Sequence, residues 1–304
     1  MIGILSVLSL GFFEKFAMLF ATKQKEYQEI KIINNFFIMS FIFFIYSFLY
    51  YENLDFSFFY DRLFYLTIFA ENAILFIALK NYNQQNSFTE ISFAAFSTLY
   101  LIVFLSYFYN YVFDLDTVMK SPYSTLSETL FYSFVFFILT ILYFYDKLLS
   151  NKIKHPFLLF LFAIFLANGM FMAVSALQKF QGTLVYSFIF LTMIIQQLYW
   201  YQKKHSFKDL YSNISFSNSF EQKEHLKNQF LYTFFFLMTW ILSIIGAFFL
   251  KVEFFAIFKR TGAIFGAMII DKYISKKNVV LLLKDVIILL IILFIGVYLT
   301  FVKN

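Results

Sequence analysis

Long apolar runs separated by short polar ones make up nearly the whole chain, and the runs share one length. A bilayer core takes about 20 residues of helix. Runs of that size fall at 2–21, 32–51, 62–80, 90–110 and 126–146, then at 156–177, 183–201, 229–250, 253–271 and 280–301. The pattern predicts ten transmembrane helices. Most connections are short and polar, such as "TKQKEYQEIK" after the first run and "DKLLSNKIKHP" after the fifth, so each helix is expected to turn straight back. The exception is residues 202–229, "QKKHSFKDLYSNISFSNSFEQKEHLKNQ". That segment is too polar to span, and is expected to form a short surface helix or a mobile loop. The N-terminal "MIGILSVLSLGFFEKFAMLFA" has no basic start and no clear small-residue cleavage site, so it is expected to stay as the first span.

Five spans per half is an odd number, so two halves sharing a fold must be upside down relative to one another, about an axis in the membrane plane. The expected fold class is therefore an all-α polytopic membrane protein, with ten helices arranged as two inverted five-helix repeats. Residues 1–150 form the first repeat and 151–304 the second, with 202–229 as a polar loop inside it. Spans three and four match spans eight and nine in layout: a helix, a very short connection, then a helix that opens with polar and then small residues.

Composition agrees with a membrane chain: 61% hydrophobic, 24% aromatic and 14% charged, the charged share being about half that of a soluble domain. The net charge of +6 does not imply a nucleic-acid partner, because Lys gathers in membrane-protein loops for topological reasons. Sixteen Lys and Arg lie on the connections after odd-numbered spans, against seven on the opposite side. By the positive-inside rule this places both termini outside the cytoplasm. The absence of Cys excludes disulfides and thiolate chemistry. His155, His205 and His225 never fall at ligand spacing, and "DLD" at 114–116 is a lone match to a divalent-metal motif, so no metal site is expected. No phosphate-cradling Gly loop and no Ser/His/Asp set is present. No cofactor and no enzymatic activity are expected.

Polar groups deep in the spans are the best pointers to a site, since a charge at mid-helix costs about 2.5–3.5 kcal/mol on insertion scales. Glu14 and Lys15 are neighbours in span one, so their side chains diverge by about 100° and cannot simply face one another. Glu71 and Asn72 sit at the centre of span three, beyond the reach of snorkelling. Glu71 is a candidate proton-titrating or substrate-binding carboxylate, or a structural partner of Lys15 or Arg260. Asn168 beside Gly169 in span six, and Trp240 with Ser243 in span eight, are candidate cavity residues that could equally serve helix packing. Lys259 and Arg260 lie one to two turns inside span nine. There they can snorkel to an interface or face a cavity. After them Gly262 and Gly266, with Ala263 and Ala267 on the adjoining side, predict close approach of a neighbouring helix. Arg260, Ala263, Ala267 and Asp271 follow one face at spacings of three and four.

Three stretches carry a family resemblance: "LFIALKNYNQQNSFTEISFAAFSTLYLIVFLS", "LFAIFLANGMFMAVSALQKFQG" and "FAIFKRTGAIFGAMIIDKYISKKNVVLLLKDVIILLIILFIGVYL". Together with the ten-span layout they resemble the drug/metabolite transporter superfamily, in particular the EamA-like exporters and their nucleotide-sugar and triose-phosphate relatives. The chain departs from that pattern in lacking proline in spans four and nine, and in having Lys284 and Asp285 where a glycine is usual early in span ten. The resemblance implies a secondary transporter or exporter of a small metabolite, working by alternating access, coupled to protons or by exchange, in a bacterial cytoplasmic (inner) membrane. Its partners would be the lipid bilayer, a small-molecule substrate and, in a homodimer, a second copy of the chain. It also implies that the Lys259–Arg260 pair contacts an anionic substrate group, and it places both termini in the cytoplasm, opposite to the lysine count. The alternative is a membrane-embedded enzyme or assembly factor of lipid or surface-glycan synthesis, with its polar groups at one membrane face beside residues 202–229.

Overall fold

A computed structural model describes residues 1–23, 27–83, 88–112, 125–150, 156–204, 219–270 and 283–303, excluding the side chains of 76–92, 267 and 268 and a few single positions at segment ends. The "DLD" motif, His155, His205, Asp271, the side chain of Ala267 and residues 205–218 of the polar loop lie outside it. Among the described residues the structure is all helical, with ten α-helices. These are α1 (Ile2–Thr22), α2 (Gln28–Tyr50), α3 (Arg62–Asn83), α4 (Phe88–Tyr107) and α5 (Leu126–Leu149), followed by α6 (Pro156–Lys179), α7 (Gly182–Lys204), α8 (Ser219–Phe249), α9 (Val252–Ile269) and α10 (Leu283–Lys303). Eight of them are long and apolar enough to cross a membrane, the signature of an integral membrane protein. Helices α3 and α9 carry Glu71 and the Glu253, Lys259 and Arg260 charges.

Each predicted span has its helix. The main difference is α8, whose 31 residues start at Ser219, ten positions before the expected span. At 1.5 Å per residue it is about 46 Å long, well beyond a hydrocarbon core of about 30 Å. Its polar first turns, "SFEQKEHLKNQ", continue the helix outside the apolar layer. The C-terminal part of the polar segment is thus helix rather than loop.

Side-chain contacts sort the helix ends into two sets. At one end the Lys179 ammonium of α6 pairs with Asp61, just before α3, at 2.8 Å. Gln181 Nε2 donates to the Asn53 carbonyl after α2 at 2.9 Å, and Gln178 Nε2 donates to the Ala247 carbonyl of α8 at 2.9 Å. There too Ser57 donates to Asp55 from its N–H and hydroxyl, holding that exposed carboxyl below the usual range. At the other end Tyr27, before α2, meets the ring of His225 near the start of α8 edge to face, and Lys31 Nζ donates to the Lys23 carbonyl at the end of α1. Lys284 of α10 pairs there with Asp146 of α5. This second set is the lysine-rich face, so consecutive helices run antiparallel.

The most extensive packing joins the two halves of the chain: α1 lies against α8 and α9, α6 against α3 and α4, and α2 against α7. The α1–α9 contact is a backbone contact. A methyl added at Gly262 would collide with the Leu8 carbonyl, one at Gly11 with the Lys259 carbonyl, and one at Gly266 would stand 2.9 Å from the Phe12 carbonyl. These three glycines let the axes of α1 and α9 approach closely, as the small-residue strip in span nine predicts. The α2–α7 contact is aromatic and hydroxyl-bonded. Phe36 and Phe43 pack on Phe190, Ser40 Oγ donates to the Ser187 carbonyl at 2.9 Å, and Ser47 shares a hydrogen bond of 2.7 Å with Thr183. Outward positions such as Phe41, Phe48, Phe131 and Phe294 are exposed large hydrophobics, which suits a lipid-facing surface.

Candidate functional site

A cavity of about 300 Å³ lies at the centre of the bundle, with walls from α1, α2, α3, α6, α7, α8 and α9. One side carries charge: Glu14 of α1, Glu71 of α3, and Lys259 and Arg260 of α9. The other side is aromatic and thioether: Phe36, Phe190, Phe236, Trp240 and Met193 are among its lining. From the charged level the cavity runs toward Ala21 and Gln28, at the turn between α1 and α2 on the lysine-rich face.

The helices bring the charges together for reasons of spacing. Glu14 lies twelve residues into α1 and Glu71 nine into α3, depths of about 18 Å and 14 Å at 1.5 Å per residue. Lys259 and Arg260 lie seven and eight residues into α9. All four therefore sit near mid-depth of a bilayer-sized helix. The Lys259 ammonium stands 3.4 Å from Glu14 Oε2, with about a quarter of the Lys259 side chain and a third of that of Glu14 accessible. Both groups line the cavity, so this accessible surface faces into it. Arg260 is buried and donates from Nε to the hydroxyl of Thr98 on α4 at 3.1 Å. That bond uses one of its five N–H donors.

Glu71 has no cation within ion-pair distance among the described residues. It interacts with Lys259 and with Glu14 through space, and the Tyr186 hydroxyl of α7 is close to it without forming a hydrogen bond of normal geometry. Neither structural partner expected for it, Lys15 or Arg260, is the one it meets. Lys15 lies on the flank of α1 toward α9, where its Cβ approaches Gly266, and it is coupled electrostatically to Glu14 and Arg260.

Trp240 stands in the cavity wall against Tyr186, ring centroids 4.1 Å apart, with Ser243 on the same lining. The structure places the two asparagines elsewhere. Asn72 points to the flank between α3 and α7, where its Nδ2 donates to Thr192 Oγ1 at 2.9 Å and Gln196 Nε2 donates to its carbonyl at 3.0 Å. These residues line a separate, more open crevice with Tyr65, Phe69 and Trp200. Asn168 accepts a hydrogen bond from the Tyr109 hydroxyl and donates to the Ile164 carbonyl at 2.8 Å. Its neighbour Gly169 lines the cavity.

Beside the cavity α4 packs against α6 and α9, and its last turns lie at the end away from the lysine-rich face. The α4 helix finishes in a π-helical turn, Phe108–Val112. Next to it Ser106 donates to the carboxylate of the buried Glu253 of α9, and Tyr109 reaches Asn168. Thr98, Tyr186 and the Ser106–Glu253 pair are not singled out by sequence. Each is a common polar residue in an apolar run, or, for Glu253, a charge at a helix start that reads as an N-terminal preference.

Among the described residues no group of three His, Asp or Glu side chains is placed to hold a metal ion. The central cavity can accommodate a small organic molecule, offering it cations, carboxylates and aromatic faces. No protein-family model, no curated protein and no solved structure matches this chain.

Proposed function

We propose that the protein is a secondary transporter of a small charged metabolite, which binds in the central cavity and is carried by rocking of two inverted five-helix repeats around it. The observation that carries this is the convergence of Glu14, Glu71, Lys259 and Arg260, drawn from three helices, on one cavity at mid-depth. Charged side chains inside a membrane protein mark substrate or ion pathways. The lining also matches the general form of a small-molecule site, apolar with a few placed polar groups.

The packing supports the repeat. Shifting every helix by five turns the α1–α8 contact into α6–α3, α1–α9 into α6–α4, α4–α5 into α9–α10 and α3–α7 into α8–α2, all of which are present. The pairs α2–α7, α4–α9 and α5–α10 map onto themselves, as they must at a two-fold axis. The polar cluster lies at mid-depth, not at the membrane face beside residues 202–229, which favours transport over membrane-face enzymology. The arrangement suits a cargo that includes an anionic group met by Arg260 and Lys259, with Glu71 as the carboxylate free to carry a coupling proton.

The test is reconstitution of the whole chain into liposomes and measurement of metabolite counterflow from a pooled extract. Saturable exchange that falls at least about tenfold in Arg260→Met, the loss expected for a charge-assisted hydrogen bond, supports the proposal. Exchange that is absent, or the same in Arg260→Met and Glu71→Gln as in the wild type, refutes it.

A further inference from the structure

The flank crevice between α3 and α7 is separate from the central cavity and holds polar atoms that the transport reading does not use. It runs from Tyr65 to Ala73 on α3 and from Thr192 to Trp200 on α7, about 12 Å along each helix at 1.5 Å per residue. Its volume is about 530 Å³, within the range of small-molecule sites. Tyr65 is 57% and Phe69 68% exposed, so the crevice opens on the outer surface of the bundle, which in a membrane faces lipid.

The floor of the crevice is polar, and its hydrogen bonds fix which atoms are left over. Asn72 uses both hydrogens of Nδ2, on the Ile68 carbonyl and on Thr192 Oγ1, each at 2.9 Å. Thr192 gives its own proton to the Ile189 carbonyl at 2.8 Å, so toward Asn72 it can only accept. Gln196 Nε2 donates to the Asn72 carbonyl at 3.0 Å. Each amide nitrogen thus meets an acceptor, and neither amide can be turned over without setting oxygen against oxygen. The two amide oxygens remain. Among the described residues nothing donates to Asn72 Oδ1 or to Gln196 Oε1, and the latter is buried.

The level of these oxygens in the membrane says what can reach them. Lys203 Nζ stands 4.6 Å from the ring centre of Tyr199 and 5.0 Å from that of Trp200, an aromatic and basic group that marks the headgroup level on the lysine-rich side. Gln196 lies four residues before Trp200 on α7, about 6 Å deeper along the axis. That is the depth of a lipid's backbone, where the bilayer supplies little water. Diacyl phospholipids present only acceptors there, their ester oxygens, and leave the amide oxygens bare. Phe69 and Tyr65 precede Asn72 by three and seven residues on α3, about 4 and 10 Å toward the bilayer interior, and offer apolar surface for a chain.

We propose that the crevice binds a lipid with a free hydroxyl on its backbone, the hydroxyl donating to the amide oxygens of Asn72 and Gln196 and the acyl chain lying along Phe69 and Tyr65.

The experiment uses the full-length wild-type chain in phosphatidylcholine nanodiscs, photolabelled with a monoacylglycerol that carries a diazirine at mid-chain and mapped by peptide mass spectrometry. Labelling is expected on α3 between Tyr65 and Ala73. Monooleoylglycerol and methyl oleate then compete; they share one chain and dilute the bilayer equally, and only the first has hydroxyls. Half-suppression is expected at a mole fraction of monooleoylglycerol about fivefold lower than of methyl oleate, the weight of one neutral hydrogen bond. In Gln196→Leu and Asn72→Leu the two competitors are expected to converge. Absence of label from Tyr65–Ala73, or equal competition by the two in the wild type, overturns the proposal, and the wild-type comparison needs neither variant to fold. A fivefold preference that survives in both variants overturns it as well, since the hydroxyl would then be held elsewhere.

Discussion

Arg260 of α9 donates through Nε to the Thr98 hydroxyl of α4, a bond of 3.1 Å between residues 162 positions apart in the chain. It joins α4 and α9, two helices that exchange under the proposed two-fold, and it fixes the guanidinium at the edge of the cavity. Thr98→Val keeps the volume and removes the acceptor. The expected outcome is a rise in apparent KM for counterflow of about three- to tenfold, the weight of one hydrogen bond to a charged group with some compensation by water in the cavity. Maximal rate should change little, because the charge itself remains. A variant with unchanged KM would show that the bond does not orient Arg260 for binding.

The α1–α9 crossing makes a graded prediction about stability. Gly262→Ala and Gly11→Ala place a methyl against backbone carbonyls, of Leu8 and Lys259, which cannot rotate away. Gly296→Ala places one 2.7 Å from Ile257 Cγ2, the end of a side chain that can shift. Overpacking of this kind costs about 1–3 kcal/mol. Thermal unfolding in detergent should therefore fall clearly for the first two variants and much less for the third. Equal losses in all three would mean that the helices can separate without penalty.

Glu71 offers a prediction in the presence of a proton gradient. If its carboxyl takes up and releases the coupling proton, Glu71→Gln should abolish the acceleration of uptake by an imposed pH difference, while equal-pH exchange persists. Retained acceleration would move proton coupling to Glu14.

The absence of native cysteine makes paired cysteines easy to interpret. Asp61 and Lys179 form an ion pair of 2.8 Å at the end of the bundle away from the lysine-rich face, an end that the proposed alternating access requires to open and close. Asp61→Cys with Lys179→Cys, bridged by a short bifunctional thiosulfonate, should arrest transport, and reduction should restore it. Full activity in the bridged protein would show that this end does not move.

Much of the fold is legible in the sequence, because lipid imposes a nearly fixed span length and leaves polar residues little place but the turns. The start of α8 is not, since a length ruler counts apolar residues and the polar turns at 219–228 continue the same helix into water. The site is legible in part for a related reason. Glu14, Glu71, Lys259 and Arg260 stand out because charge in lipid is costly, and they do converge on the cavity. Asn72 and Asn168 stand out equally, yet they turn to other helices. One residue along a helix is a rotation of about 100°, and no periodicity in so uniformly apolar a chain reveals which face is inward. Thr98 and Tyr186 have no sequence signal, because hydroxyls occur throughout these spans.

The main partners of α1 lie about 200 residues downstream of it, in α8 and α9, and its contact with α2 is far smaller. During synthesis α1 therefore enters the membrane long before Lys259 exists to meet Glu14, or Gly262 to receive Leu8. For that interval Glu14 and Lys15 stand in the bilayer with no bundle around them, each at a cost of about 2.5–3.5 kcal/mol. Assembly of this protein thus closes backwards, the last helices made completing the packing of the first, and a chain truncated before residue 219 lacks both helices that cover its own beginning.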